Sequence, residues 1–209
     1  MKLFILGATG GVGQQILVQA LEAGHEVTAF VRNPDKMLLR HDRLGVVAGD
    51  VTDAGAILAD AMRGQDAVIS ALGRGMSLKS ERLIQRSVPP ILAAMKTAGV
   101  RRLIFTSAIG VGITLRDAPQ FSRLMIRLLL RDIYADKIIG EAPIHRSGLD
   151  WTLVQPAQLN DGPLTRTYRS GERLHLRGMP NISRADTAHF ILNHLDSGAS
   201  TGKIILLAY

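Results

Sequence analysis

The stretch LFILGATGGVGQQ, residues 3–15, joins a short apolar run to a loop that contains four glycines. Three of the glycines have the spacing G-x-x-G-x-x-G, and an apolar pattern with helical spacing begins at residue 11. A strand that turns sharply into a helix through glycines is typical of dinucleotide-binding folds, in which the helix N-terminus faces the pyrophosphate. The stretch therefore predicts a nucleotide cradle formed by Gly7, Thr9, Gly10, Gly11, Val12 and Gly13.

The rest of the chain alternates short apolar runs with longer helical patterns. The runs span residues 2–6, 26–31, 44–49, 66–72, 102–108, 150–156 and 203–209. The helical patterns span 11–23, 54–63, about 80–98, about 118–147 and 183–195. Continuous apolar runs are typical of parallel strands that are covered on both faces. The alternation predicts an α/β fold with a doubly wound, Rossmann-type parallel sheet, in one domain over residues 1–209.

Two segments interrupt this pattern. Pro89 and Pro90 fall inside the helical pattern at about 80–98, so we expect a helix break near Val88 and a new helix that starts at the prolines. The segment 157–182 is irregular and rich in Gly, Pro and Arg. Because it follows a strand end, where ligands of open α/β sheets bind, it is a candidate substrate loop, although a plain surface connection fits equally well.

The composition limits the classes of partner. The formal net charge is +7, which suits a small anionic ligand, but there is no long basic block and only 4% of residues are aromatic. We therefore expect no nucleic-acid partner. The apolar run after Met1-Lys2 is too short for a secretory signal, and no run approaches a membrane span, so we expect a cytoplasmic protein without a membrane partner. Either a monomer or a small homo-oligomer is compatible with the sequence.

The end of the second strand indicates which dinucleotide would bind. An NAD site usually places an acidic residue there, but this chain has Arg32, followed one turn later by Lys36. Both offer positive charge to a 2′-phosphate, so NADP is the expected cofactor.

Two further strand ends are expected at the same crevice. Asp50 and Val51 follow the third strand and suit the adenine edge, and Leu72-Gly73 forms a turn after the fourth. Asp53 is expected to cap the following helix rather than to bind a ligand.

The candidates for catalysis are Ser107, Tyr134 and Lys137. Ser107 ends the fifth strand beside the expected nicotinamide site, where its hydroxyl could bind the carboxamide or a substrate oxygen. Tyr134 and Lys137 lie on one helix face, where Tyr134 is a possible proton donor, although water could also supply the proton. Glu141 and His145 lie one turn apart on the same helix, where an acid–base pair is conceivable but exposed pairing is expected.

Taken together, GATGGVG, VRNPDK, GDV, GQDAVI, AAMKTAGV, TSA, SGLDWTLVQP, DGPLTRTY and ISRADTAHFIL resemble the atypical short-chain dehydrogenase/reductase family. Within it, the likeness is to small NAD(P)H-binding proteins related to biliverdin-IXβ reductase, also called flavin reductase. The resemblance implies a compact Rossmann domain. It also implies that a set of residues borders the cofactor: Gly7, Thr9, Gly10, Arg32, Lys36, Asp50, Val51, Leu72, Gly73, Ser107, Pro156 and Gln158. The tyrosine–lysine spacing of three departs from the superfamily's spacing of four, and Ala157 stands where the reductase branch can carry a larger side chain.

The resulting hypothesis is an NADPH-dependent oxidoreductase that transfers hydride to a planar, anionic small molecule such as a flavin, a biliverdin-like tetrapyrrole or a quinone. Arginines of the candidate substrate loop could attract such an acceptor: Arg166, Arg169, Arg173 and Arg177. The alternative is a non-catalytic, NADP-binding redox sensor that resembles the transcriptional-repressor relatives of the family. An epimerase is a weaker third alternative because the tyrosine–lysine spacing is not intact.

Overall fold

The computed structural model describes residues 1–73 and 81–209. Its strands are β1 (Lys2–Leu6), β2 (Glu26–Val31), β3 (Leu44–Ala48), β4 (Ala67–Ser70), β5 (Arg102–Thr106), β6 (Asp150–Pro156), β7 (Gln158–Asn160), β8 (Arg169–Gly171), β9 (Asn181–Ser183) and β10 (Lys203–Ala208). Its α-helices are α1 (Gly11–Glu22), α2 (Gly55–Met62), α3 (Leu83–Ala98), α4 (Gln120–Leu128), α5 (Arg131–His145) and α6 (Arg184–Asn193). The expected start of the third helix, at residue 80, lies outside the described residues.

The main sheet confirms the predicted doubly wound α/β fold. Its strand order is β3-β2-β1-β4-β5-β6-β10-β8, and the described pairs are parallel except for β10 with β8. The order reverses between β1 and β4, which pair directly with Leu6 opposite Ser70. In open α/β sheets, ligands bind at such a reversal, outside the carboxyl ends of the strands. The topology therefore predicts a ligand site at the carboxyl ends of β1, β4 and β5.

Helices cover both faces of the sheet. On one face, α1 and α6 contribute buried side chains such as Ile16 and Phe190 to a core with the inward residues of β1 and β10. On the other face, α2 and α3 contribute Leu58, Ile91 and Met95 to a second core. These helix layers bury the middle strands on both faces, so a ligand can reach those strands only at their ends.

The expected helix break near Val88 is wrong, because α3 runs without interruption through Pro89 and Pro90. The two prolines remove hydrogen bonds to carbonyls four residues earlier, at Gln85 and Arg86. Pro89 is exposed and Pro90 half-buried, whereas the buried side of the helix, which includes Val88 and Ile91, packs into the second core. Packing on both sides of the proline pair holds the helix in one piece.

Two other helix boundaries differ from the predictions. The single pattern over 118–147 is divided into α4 and α5, with Leu129 and Leu130 between them. No glycine or proline marks this division in the sequence. In addition, α2 has Ala54 at its cap position and no side-chain cap hydrogen bond, so the capping role expected of Asp53 is wrong.

The segment 157–182 is more ordered than expected, because it forms β7 and β8 and enters β9. Strands β7 and β9 form a small parallel pair beside the main sheet. None of the helices within the described ranges is long and apolar enough to cross a membrane.

Candidate functional site

The floor of the site is the point at which the backbones of β1 and β4 meet. Gly7 has a φ of +79°, and a Cβ atom there would lie 2.6 Å from the carbonyl oxygen of Ala71. Only glycine fits both the left-handed conformation and the close approach. The chain therefore leaves β1 in a tight turn directly at the reversal of strand order.

The glycine loop then opens α1 over this floor. The Gly10 N–H donates to the Gly7 carbonyl over 2.9 Å. A Cβ atom at Gly13 would lie only 2.1 Å from the Gly7 carbonyl oxygen, so the first turn of α1 packs onto the loop itself. No side-chain cap bond satisfies the start of α1, and its first turn carries no acidic residue. These free N–H groups and the helix dipole suit a pyrophosphate.

Arg184 adds a positive charge that the sequence analysis did not single out. Its side chain crosses Gly11, where a Cβ atom would lie 2.7 Å from the Arg184 Cδ atom. The guanidinium also pairs with Asp161 over 2.6 Å. The motif ISRADTAHFIL contained this arginine, but only the packing of α6 against α1 places it at the glycine loop.

The ends of β2 and β3 form a charged edge beside the loop. Arg32 and Lys36 are exposed there, as a site for the 2′-phosphate of NADP requires. The pKa of Asp50 lies below its ordinary value, mainly because the Thr52 N–H and hydroxyl donate to its carboxylate and to a lesser extent because of nearby charges, including Arg32. Val51 is buried in the second core. Arg32 and Asp50 thus share one electrostatic neighbourhood, as a common cofactor edge requires.

A cavity of about 700 Å³ extends from the glycine loop past the end of β5 to α4. Among the predicted site residues, those that line it are Gly10, Gly11, Val12, Leu72, Gly73, Ser107, Tyr134, Lys137, Pro156 and Gln158. Its far wall is apolar and includes Phe121, Met125 and Met179. The Thr106 hydroxyl, also at the wall, is buried and has no hydrogen-bond partner among the described residues. A polar end beside an apolar wall suits a ligand with both polar and flat apolar parts.

Ser107 and Glu141 form a buried pair at the end of β5. The Ser107 hydroxyl donates to the Glu141 carboxylate, and Glu141 is only 3% exposed. Burial raises the pKa of Glu141 to about 6, against the opposing effects of the Ser107 hydrogen bond and the charge of Lys137. The exposed pairing expected of Glu141 with His145 is therefore wrong; the ring of His145 makes an edge contact with Trp151, with centroids 4.8 Å apart.

Tyr134 and Lys137, on the same helix as Glu141, also line the cavity. The Tyr134 hydroxyl donates to the Ile109 carbonyl over 3.0 Å, and burial raises its pKa to about 12. The pKa of Lys137 is lowered by burial, an effect that the charges of Glu141 and Asp136 oppose. The catalytic roles of Ser107, Tyr134 and Lys137 stay predictions.

Helix α5 is fixed against α3 by two features. The Asp136 carboxylate accepts hydrogen bonds from the N–H groups of Ile84 (3.0 Å) and Gln85 (3.1 Å), so it caps α3 from a neighbouring helix. A Cβ atom at Gly140 would lie 2.6 Å from the Ile84 side chain, so this glycine permits the close approach of the two helices. The helix that carries Tyr134 is therefore packed closely against α3, one of the helices that cover the sheet.

The loop 157–182 is held by Asp186 of α6, a fully buried carboxylate. It accepts hydrogen bonds from Thr165, Arg166, Ser183 and Tyr209. Burial opposes ionisation of Asp186, but these hydrogen bonds outweigh it and keep its pKa below the ordinary value. The four arginines that were expected to attract an acceptor are absent from the described lining of the main cavity.

Together, the strand reversal, the glycine loop and the uncapped helix define a Rossmann-type nucleotide-binding protein. A family model described as NAD(P)H-binding matches residues 7–198. The chain belongs to this NAD(P)H-binding family, and a nicotinamide dinucleotide is the cofactor of the family.

Proteins of similar length resemble this chain in sequence or share its fold. YwnB of Bacillus subtilis, a protein of uncharacterised function, is 28% identical over 206 residues, which cover 94% of this chain and 92% of YwnB. The oxidoreductase ylbE of Lactococcus lactis has the same fold, with a TM-score of 0.83 and 23% identity over 99% of this chain and 90% of its own. ChuY, an anaerobillin reductase of Escherichia coli O157:H7, also shares the fold, with a TM-score of 0.81 and 23% identity over 99% of this chain and 96% of its own.

Proposed function

We propose that this protein is an NADPH-dependent reductase of a planar acceptor, such as a flavin, a biliverdin-like tetrapyrrole or a quinone. The observation that carries the proposal is the size and lining of the 700 Å³ cavity, which begins at the glycine loop and ends at an apolar wall. Bound NADPH would supply the hydride, so the protein itself must align two rings and exclude competing reactions. The name of the fold relative ChuY, an anaerobillin reductase, agrees with a planar acceptor.

The preference for NADPH over NADH rests on Arg32 and Lys36. Both are exposed at the end of β2, where a ribose 2′-phosphate would lie. Arg184 beside Gly11 would add charge at the pyrophosphate, with the free N–H groups of α1. The unpartnered Thr106 hydroxyl would gain a partner from the bound nucleotide.

The buried Ser107–Glu141 pair would orient the nicotinamide and the acceptor. Because the Ser107 hydroxyl donates to Glu141, its remaining lone pairs are available to an N–H group in the cavity, such as that of a carboxamide. Lys137, at the same wall, would face the cofactor. We assign the acceptor's proton to water rather than to Tyr134, because the Tyr134 hydroxyl is engaged with Ile109 and its pKa is raised, not lowered.

The test is NADPH oxidation with FMN as the acceptor, with NADH in parallel and with an Arg32→Ala variant. We expect turnover with NADPH, slower turnover with NADH, and a loss of at least about tenfold in that preference in the variant, since a charge-assisted contact to phosphate is removed. Ser107→Ala is expected to reduce kcat, whereas Thr165→Ser on the substrate loop serves as a control. Tight NADPH binding without turnover on FMN, quinones or biliverdin would refute the reductase and favour an NADP-dependent regulator.

A further inference from the structure

A second groove adjoins the main cavity on the side of α4. It encloses about 560 Å³ between the segment 116–123 and the segment 173–178. Ala118, Pro119 and Phe121 line both spaces, so the two meet along a common wall. The two spaces therefore lie side by side at the start of α4.

The groove, which we call the arginine groove, is strongly cationic. Its charged side chains are Arg116, Arg123, Arg173, Arg177 and Asp117. Four guanidinium groups and one carboxylate leave a net charge of +3 if the histidine in the lining is neutral. The lining thus separates the loop arginines into two groups, since Arg173 and Arg177 belong to it and the other two do not.

Internal pairing leaves most of this positive charge uncompensated. The Asp117 carboxylate lies 3.7 Å from Arg116 and 3.5 Å from Arg173, so one negative charge is shared between two guanidinium groups. Arg177 is exposed and makes no ion pair with a carboxylate of the described residues. Like charges that line one groove repel one another, and an anion in the groove would reduce that repulsion.

The backbone around the groove is held in place. The Arg123 guanidinium donates to the carbonyls of Ala118 and Arg116, which ties the start of α4 to the preceding turn. On the other side, Arg169 donates to the carbonyls of His175 (3.2 Å) and Tyr209 (2.7 Å), and Leu176 is buried. Because the backbone is held, only the exposed arginine side chains lose conformational freedom when an anion binds.

We propose that the arginine groove binds the anionic side chain of the acceptor, a phosphate or a carboxylate, while the planar ring occupies the main cavity. The inference rests on the proposed function, because it assumes that the acceptor lies in that cavity. The acceptor class is thereby narrowed to ring systems that carry a flexible, negatively charged arm. An uncharged quinone would use the main cavity alone.

The experiment compares acceptors that differ only in this arm. Riboflavin lacks the phosphate of FMN, and the dimethyl ester of biliverdin lacks its two carboxylates. We expect the wild-type protein to have a lower KM for FMN than for riboflavin and for biliverdin than for its ester. The double variant Arg173→Gln/Arg177→Gln should raise the KM for the charged acceptor by at least about tenfold, with little change for the uncharged one or for NADPH. The comparison of the two flavins tests for a phosphate site, and the comparison of biliverdin with its ester tests for a carboxylate site.

A matched control removes the same charge elsewhere. Arg127 and Arg131 are exposed and line neither space, so Arg127→Gln/Arg131→Gln should leave both KM values unchanged. An equal KM increase in both double variants would show general electrostatic steering and overturn the proposal. Equal wild-type KM values within both acceptor pairs would also overturn it.

Binding measurements separate this inference from the proposed reaction. If no acceptor is reduced, the fluorescence of FMN and riboflavin can be titrated with the NADP-loaded protein. Tighter binding of FMN that depends on Arg173 and Arg177 would support the arginine groove although the reductase had failed. Equal binding of the two flavins would refute the groove as well.

Discussion

The buried carboxyl of Glu141 gives a sharp test of the electrostatics at the end of β5. Its pKa is raised from 4.5 to about 6, chiefly by burial. The native state therefore holds a proton that the unfolded state releases between these two pH values, and stability falls as the pH rises through this window. The difference of about 1.5 pH units corresponds to a cost of about 2 kcal/mol above pH 7.

Glu141→Gln should remove this cost while keeping an acceptor oxygen for the Ser107 hydroxyl. Relative to the wild type, the variant is expected to gain stability as the pH rises, by about 1 kcal/mol between pH 5 and pH 8. The assay is urea unfolding of both proteins at the two pH values, with Glu22→Gln as a control because Glu22 is exposed on α1.

The reasoning fails if the stability difference between Glu141→Gln and the wild type is the same at pH 5 and pH 8. It also fails if the variant loses stability relative to the wild type as the pH rises. That second result would mean that attraction between ionised Glu141 and Lys137 outweighs the burial cost.

Three other substitutions test separate parts of the structure. Gly13→Ala places a Cβ atom 2.1 Å from the Gly7 carbonyl oxygen, so we expect a loss of about 2 kcal/mol or more in stability and weaker NADPH binding; an unchanged melting temperature would contradict the close contact. Asp186→Asn should lower the free energy of unfolding by about 3 kcal/mol near pH 7, as measured by chemical unfolding. Because the pKa of the native carboxyl is lowered, this difference from the wild type should shrink as the pH falls below 3.8. A difference that does not depend on pH would show that the charge of Asp186 is irrelevant to stability. Tyr134→Phe should keep most of its turnover but lose about 1 kcal/mol of stability with the hydrogen bond to Ile109, and a collapse of kcat in steady-state assays would restore Tyr134 as the proton donor.

The sequence was sufficient for features that depend on local pattern. The glycine spacing and the continuous apolar strands predicted the tight turn from β1 into α1 and the parallel sheet, because both follow from backbone conformation and burial over a few residues. The helix break expected near Val88 was wrong, because packing of the buried face of α3 outweighs the two hydrogen bonds that the prolines remove. The division between α4 and α5 has no local mark, so only tertiary contacts determine it.

The candidate site was harder to predict where distant residues meet. Glu141 follows Ser107 by 34 positions, and only the packing of α5 against α3 brings Glu141 to the end of β5. The same limit applied to the arginines of the segment 157–182. Composition alone could not show that Arg173 and Arg177 line the arginine groove and that Arg169 does not. Helical spacing does place Asp136, Gly140 and Glu141 near one face of α5, and this spacing was the one sequence signal of the buried side of the helix.

The attachment of α5 to α3, through Asp136 and Gly140, has a consequence for how this scaffold could diversify. Asp136 and Gly140 hold α5 against α3, whereas Phe121 and Met125 of α4 line the far wall of the cavity. Exchanging residues of α4 would therefore alter the chamber that receives the acceptor without disturbing the nucleotide cradle. Laboratory evolution toward new acceptors should accumulate its changes in α4 before it touches the helix that follows.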